Sequence, residues 1–252
     1  MASETSKPEA PNTRSGYFQT SESARASLYF LIPFVLFYEL GTWYFTFDAS
    51  TNTEQRIVAF SMLRDSLAAL GATARWVAPA SVISILIGLT IFRREKVRIT
   101  PLTLCGMFGE SLVLAIPLIL ISLLLARVPW PMLAGFDSVG SDVVLSVGAG
   151  IYEELIFRLI GFAVLHFLLS DFLGLRASVT LPAMVVLSGL LFSLYHYWGP
   201  EPFAVQTFVF RAIAGSYFGM VMLWRGFGIT AGCHAGYDIL ICILRGLSHD
   251  AS

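Results

Sequence analysis

Residues 143–169 read VVLSVGAGIYEELIFRLIGFAVLHFLL, an apolar run long enough to cross a bilayer, with Glu153 and Glu154 side by side near its middle. A carboxylate at membrane depth costs roughly 2.5–3.5 kcal/mol on insertion scales, so chains rarely keep one without a use. Arg158 follows Glu154 by four residues, the favourable order for an ion pair on one helix face. Such a pair neutralises one carboxylate and leaves Glu153, about 100° further round the helix, to meet another element. Desolvation favours the neutral form of a carboxyl group, which moves it toward the range of a general base. The plain alternative is a structural salt bridge buried between helices.

The rest of the chain suits this setting. Of its 252 residues 56% are hydrophobic and only 13% charged, where a soluble protein carries about a quarter charged residues. With a mean hydropathy of +0.73, the expected fold is all-α, a polytopic transmembrane bundle of about seven spans, or eight. A net charge of −1 gives no sign of a nucleic-acid partner. Three cysteines, Cys105, Cys233 and Cys242, lie in or beside apolar segments, which argues against a disulfide framework. Residues 1–25 are polar, lack a signal-peptide pattern and read as a disordered tail; 26–246 read as one membrane domain.

Seven apolar stretches approach the spanning length, at about 27–47, 77–92, 103–126, 142–169, 180–197, 203–224 and 227–245. The second is short. Between the first two, Phe60, Leu63, Leu67 and Leu70 recur at helical spacing with Arg64 and Asp65 opposite, which predicts an amphipathic surface helix. Arg93, Arg94, Lys96 and Arg98 form a basic loop expected in the cytoplasm. That places the N-terminus in the cytoplasm, in what is expected to be the cytoplasmic membrane. Arg176 and Arg225 then also fall inside, whereas Arg56, Arg64 and Arg75 fall outside, against the rule. Gly215 and Gly219, with Ala212, Ala214 and Ser216, make a stripe of small residues suited to close helix packing.

Two more polar clusters follow. Phe192-Ser193-Leu194-Tyr195-His196 ends the fifth span, and His234-Ala235-Gly236-Tyr237-Asp238 lies in the last. An imidazole shares a proton with a carboxylate, orients water or binds a metal, although a lone histidine near an interface is more often only solvated. His234 and Asp238 share a helix face and could be a self-satisfied pair. Gly232 and Gly236 are expected to keep that face open for close backbone or substrate approach. Taken together, E-E-x-x-x-R, then F-x-x-x-H, then H-x-x-x-D resembles the CPBP (Abi) family of intramembrane proteases, which includes the type II CAAX prenyl endopeptidases and bacteriocin-processing or self-immunity proteins. The resemblance rests on Glu153, Glu154, Arg158, Phe192, His196 and His234 and spans roughly 142–245. Asp238 departs from it, standing where the family often has Asn.

The resemblance implies an intramembrane endopeptidase acting on a membrane-embedded or lipid-modified polypeptide in the lipid bilayer. Glu153 is the implied general base, His196 shares that role, and His234 with position 238 stabilises the oxyanion. An ionised Asp lacks the N–H that Asn would donate, so Asp238 is expected either to be protonated or, the favoured reading, to orient His234 by accepting its other ring proton. Glu154, Arg158 and Phe192 are expected to support the site. No cofactor is expected; zinc is the alternative, since two histidines and two glutamates could ligate it, although H-E-x-x-H is absent. Two further rivals are a non-catalytic binding or immunity protein and a proton-coupled transporter. The transporter is disfavoured because no inverted repeat is visible.

At ~1.5 Å per residue, Glu153 and His234 lie roughly 12 Å from the cytoplasmic face, with His196 about 10 Å deeper. Tilt, or a later helix start at Pro182, must close that gap. Glu39 and Arg211 are further intramembrane charges, expected to pair with each other, and Glu110 is expected to reach water. Cys233 beside His234 points about 100° away and is not expected to act as a nucleophile. Trp43, Trp130, Trp198 and Trp224 fall near expected interfaces, as aromatic belts do.

Overall fold

The computed structural model describes residues 16–51, 53–124, 139–198 and 201–249. Its helices are α1 (Tyr17–Ser21), α2 (Ala24–Phe45), α3 (Val58–Ala69), α4 (Val77–Phe92), α5 (Pro101–Leu124), α6 (Val139–Glu154), α7 (Gly161–His166), α8 (Ala177–Tyr195), α9 (Val205–Arg225) and α10 (Phe227–His249). A two-residue pair of strands, β1 (Phe47–Asp48) and β2 (Thr53–Glu54), turns the chain between α2 and α3. Among the described residues, six helical stretches are long and apolar enough to cross a membrane: 24–45, 101–124, 139–172, 177–198, 205–225 and 227–244. The shorter apolar α4 is the second stretch read from the sequence; its 16 residues span only about 24 Å. The protein is a polytopic all-α bundle.

Helix α6 is the axis of the bundle. From Val144 to Leu155 every side chain is buried, as expected of a helix surrounded by others. Helix α2 packs on one flank and α10 on the other. Gly150 sets the α10 approach, because a Cβ there would lie 2.5 Å from the Ala231 carbonyl oxygen and 2.8 Å from the Ala235 nitrogen. Both atoms are backbone and cannot rotate away. Gly150→Ala must therefore push α6 and α10 apart. It is expected to cost about 1–3 kcal/mol, the usual range for overpacking, and to lower the midpoint of thermal unfolding in detergent. A wild-type midpoint would show that the two helices do not meet so closely.

The helix does not stop at Glu154. It continues through a π turn at Leu155–Ile160, α7, and a second π turn at Phe167–Phe172, giving 34 continuous helical residues. Such i→i+5 turns are rare and concentrate at functional sites. Helices α8 and α9 pack closely at Gly189 and Gly215, where a Cβ on Gly215 would lie 2.9 Å from the Gly189 Cα. The small-residue stripe of α9 is thus a packing face.

Several expectations change. Of the stretch read as a tail, 1–15 lies outside the described residues, and 16–25 does not fit that reading: α1 is a helical turn, and Ser23 caps α2 by accepting from the Ala26 N–H at 3.0 Å. Glu110 does not simply meet water. It accepts from Arg225 at 2.5 and 3.0 Å and from the Tyr17 hydroxyl at 2.6 Å, while Arg225 also reaches Ser21 and Glu22. That cluster docks α1 onto the bundle. The Glu95 carboxylate, just after α4, accepts from the Ala24 and Arg25 N–H groups at 3.0 and 2.8 Å, satisfying donors that a helix start leaves open. The basic loop therefore lies on the same side as the start of α2.

Glu39 and Arg211 do not pair. The loop after α2 carries Arg56 back to Glu39, at 2.9 and 3.0 Å, while Arg211 is taken by Glu201 just before α9. Both partners come from connecting segments, which helix depth alone does not reveal. Arg56 also bonds Glu54, as does Arg75, and Arg64 pairs with Asp65, so each arginine that breaks the charge rule has an acidic partner. Helix α3 has the expected amphipathic pattern, but its buried face, Ala59, Phe60 and Leu63, packs inward: the Phe60 ring meets Tyr38 and Tyr152. Trp43, Trp198 and Trp224 are exposed; Trp130 lies outside the described residues.

Candidate active site

Glu153 and Glu154 end α6, Arg158 sits in the π turn, Phe192 and Tyr195 end α8 with His196 following, and His234 and Asp238 lie on α10. These elements bring the three sequence clusters together in one buried place. The depth gap closes because the helices start at different levels. At ~1.5 Å per residue, Phe192 is about 22 Å from the start of α8, and His234 about 10 Å from the start of α10. Yet the Phe192 ring meets both imidazoles edge-on, with centroids 4.9 Å from His196 and 5.8 Å from His234.

One half of the cluster is fixed by Glu154. Its Oε1 accepts from Arg158 Nη1 at 3.0 Å and stands 2.7 Å from His234 Nδ1. Arg158 also donates to the Gly215 carbonyl at 2.8 Å, and its guanidinium lies 4.5 Å from the Phe192 ring centroid and 5.6 Å from that of Phe218. Glu154 and Arg158 are fully buried. Charges at such a position persist only when paired and hydrogen-bonded. The expected Glu154–Arg158 pair is present, and Glu154 additionally orients His234.

The other half surrounds Glu153. The Tyr195 hydroxyl donates to its Oε1 at 3.3 Å, and its Oε2 stands 3.8 Å from His234 Nε2. The same Nε2 is 3.4 Å from Asp238 Oδ2. Asp238 thus faces His234, as the spacing suggested, but the shorter contact that orients the ring is the one to Glu154. His234 is further held by Phe218, whose ring stacks on it at 4.4 Å with 17° between planes.

His196 is built differently. Its Nδ1 lies 2.8 Å from the Phe192 carbonyl oxygen. A carbonyl only accepts, so Nδ1 carries a proton, and in the neutral ring Nε2 holds the lone pair. His196 is half-buried and Asp238 partly exposed, whereas Glu153 and His234 are buried. The cluster therefore opens toward the His196 and Asp238 side.

Sequence reasoning missed Tyr195, Phe218 and Gly215. Tyr195 had a local signal, since it stands beside His196 inside the same motif. Phe218 and the Gly215 carbonyl had none, because a stacking ring and a backbone acceptor leave no distinctive residue pattern. Of the two uses expected of Gly232 and Gly236, close helix approach is the one seen: a Cβ on Gly232 would meet Phe30 at 2.9 Å and Ser111 Cβ at 3.1 Å, and one on Gly236 would meet Leu112 at 3.1 Å. These glycines pack α10 against α2 and α5 and leave no open face. Cys233 is buried in an apolar cluster with Phe210, Phe218 and Tyr237.

No curated protein and no solved structure matches the chain. Residues 136–240 match the family model described as type II CAAX prenyl endopeptidase Rce1-like. The matched range contains all of α6 and the motifs of α8 and α10, and with them Glu153, Glu154, Arg158, Phe192, His196, His234 and Asp238. At family level this supports a membrane-embedded peptidase of the CAAX type. Over residues 136–240 the chain is thus similar to the type II CAAX prenyl endopeptidase Rce1-like family, the kind of protein that the three motifs resemble.

Proposed function

We propose that the protein is an intramembrane endopeptidase that hydrolyses a peptide bond of a membrane-embedded or lipid-modified polypeptide, with Glu153 and His196 activating the water. The observation that carries this reading is the placing of Glu153. It is buried, held by the Tyr195 hydroxyl at 3.3 Å, and next to His234, while the His196 ring meets the same Phe192 ring that meets His234. Water gives a proton to Glu153 and its oxygen to the scissile carbonyl carbon. The carbonyl oxygen becomes an oxyanion, which His234 Nε2–H stabilises. Collapse of that intermediate breaks the C–N bond, and the proton held by Glu153 goes to the departing amine. His196 orients the water and shares the proton. Asp238 and Glu154 keep His234 a donor at both nitrogens, and donors fixed before charge develops are the strongest source of rate enhancement.

The reaction is proposed to proceed without zinc. His234 Nδ1 is taken by Glu154 at 2.7 Å while Nε2 faces Glu153 and Asp238, so zinc, the rival, would have to enter at Nε2 between those two carboxylates. Purified protein in nanodiscs, offered fluorescent lipidated peptides, is expected to cleave them equally with and without a strong chelator. Loss of cleavage on chelation, restored by zinc, would move the mechanism to metal catalysis. Binding of the peptides with no cleavage of any, alongside full retention of a biological partner, would favour the non-catalytic reading.

A further inference from the structure

We infer that the segment from Glu54 to Phe60, which leads into α3, is a positioning strap: it aims the Tyr195 hydroxyl at Glu153, so that Arg56 and Tyr195 set the rate of the chemical step without touching the substrate. This rests on the endopeptidase reading above and names what holds its general base. Tyr195 gives Glu153 a closer polar contact than His234 does, 3.3 Å from the hydroxyl to Oε1 against 3.8 Å from Nε2 to Oε2. A hydroxyl proton rotates to suit its surroundings unless the oxygen is also engaged. Here the oxygen faces the backbone of Ala59. Ala59 lies in the first turn of α3, where the N–H groups have no acceptor within their own helix; the ladder of this helix begins with the Ser61 N–H on the Ile57 carbonyl, at 3.2 Å. With the Ala59 N–H turned to the hydroxyl oxygen, the hydroxyl proton is left for Glu153.

The start of α3 is fixed by Arg56. Its side chain, 7% exposed, comes from the connecting segment and forks onto both oxygens of Glu39 on α2, at 2.9 and 3.0 Å. It also bonds Glu54, at 2.6 and 3.0 Å. The guanidinium lies 5.1 Å from the Tyr38 ring centroid and 4.6 Å from that of Phe60. A planar cation that is both forked and stacked fixes the direction of the chain carrying it as well as its position. Phe60 then meets the Tyr152 ring edge-on at 5.1 Å, which seats α3 against α6. An apolar side chain at position 56 would hold α3 at no greater cost, because a buried ion pair is often no more stable than its hydrophobic replacement. What the pair adds is one defined orientation, three residues before the N–H that faces Tyr195.

The test is a cycle of variants of the full chain in nanodiscs, with kcat and KM read on one fluorescent lipidated peptide. Tyr195→Phe keeps the ring packed on Phe157 and removes only the oxygen. It is expected to lower kcat about tenfold, the scale of a lost hydrogen bond to a charged group, with KM within about twofold of the wild type. Arg56→Gln alone strands a buried carboxylate, so Glu39→Gln is made with it, a double replacement often close to neutral for stability. That double variant is expected to lower kcat by a similar factor, again with little change in KM. Added to Tyr195→Phe, it is expected to slow the reaction no further, because both changes act through one hydroxyl. Wild-type kcat in Tyr195→Phe or in the double variant, or factors that multiply in the triple variant, overturns the inference. If the wild type cuts no peptide, the endopeptidase reading fails separately, and the strap is read by fluorine NMR of a meta-fluorotyrosine in place of Tyr195. A resonance shifted by the Glu39→Gln and Arg56→Gln pair then sustains the strap, and an unmoved resonance removes it.

Discussion

Glu153→Gln is expected to lower peptide cleavage by roughly 10²–10⁴-fold, the range ascribed to general acid–base catalysis, while leaving the protein folded. The substitution is nearly isosteric. The Gln carbonyl still accepts from the Tyr195 hydroxyl, 3.3 Å from Glu153 now, and the amide nitrogen can face the open side. What disappears is the ability to take a proton from water. Glu153 is therefore separable from the framework: Arg158 and His234 both lean on Glu154, which this change does not touch. The measurement is kcat on a fluorescent lipidated peptide, with unfolding in detergent as the control for fold. Undiminished turnover would remove Glu153 from the reaction.

Arg158→Met is expected to act in the opposite sense, through stability. The guanidinium is fully buried, bonded to Glu154 and to the Gly215 carbonyl, and stacked near two aromatic rings. Met fills much of its volume but leaves a buried carboxylate without its cation and a backbone oxygen without its donor. Breaking one partner out of a buried ion pair costs about 3–5 kcal/mol, whereas replacing both partners is often close to neutral. The double variant Glu154→Gln with Arg158→Met is therefore expected to recover much of the stability lost by the single one. Thermal and denaturant unfolding in detergent would read this directly. A single variant as stable as the wild type would mean that the pair carries no structural weight.

The contrast between these variants reflects how the sequence could be read. Apolar length made most of the helices legible, because the bilayer demands it, and the spacing of Glu154 and Arg158 on one face foretold their pair. The order of the three polar clusters also brought Glu153, His196 and His234 to notice before any contact was known. Pairings made by connecting segments were not legible. Glu39 and Arg211 sit in different spans and invite each other, but Arg56 and Glu201 reach them first. Depth counted from helix ends also misled, since it treats every helix as starting in one plane. Tyr195, Phe218 and the Gly215 carbonyl escaped for a related reason: a hydroxyl donor, a stacking ring and a backbone acceptor gain meaning only from what packs against them.

The π turn at 155–160 carries a consequence of its own. An α-helix advances by about 100° per residue, so one surplus residue resets the rotational phase of everything that follows. Upstream, the phase is dictated by α10 and Tyr38, which leave the helix no freedom about where its carboxylates point. Downstream, Val164, Phe167, Leu168 and Phe172 are exposed on a surface that faces outward from the bundle. A regular helix would fix the outer face at a different angle from the acidic pair. The wide turn adds a set offset between them, so the carboxylates point into the bundle while the outer half presents its apolar residues outward.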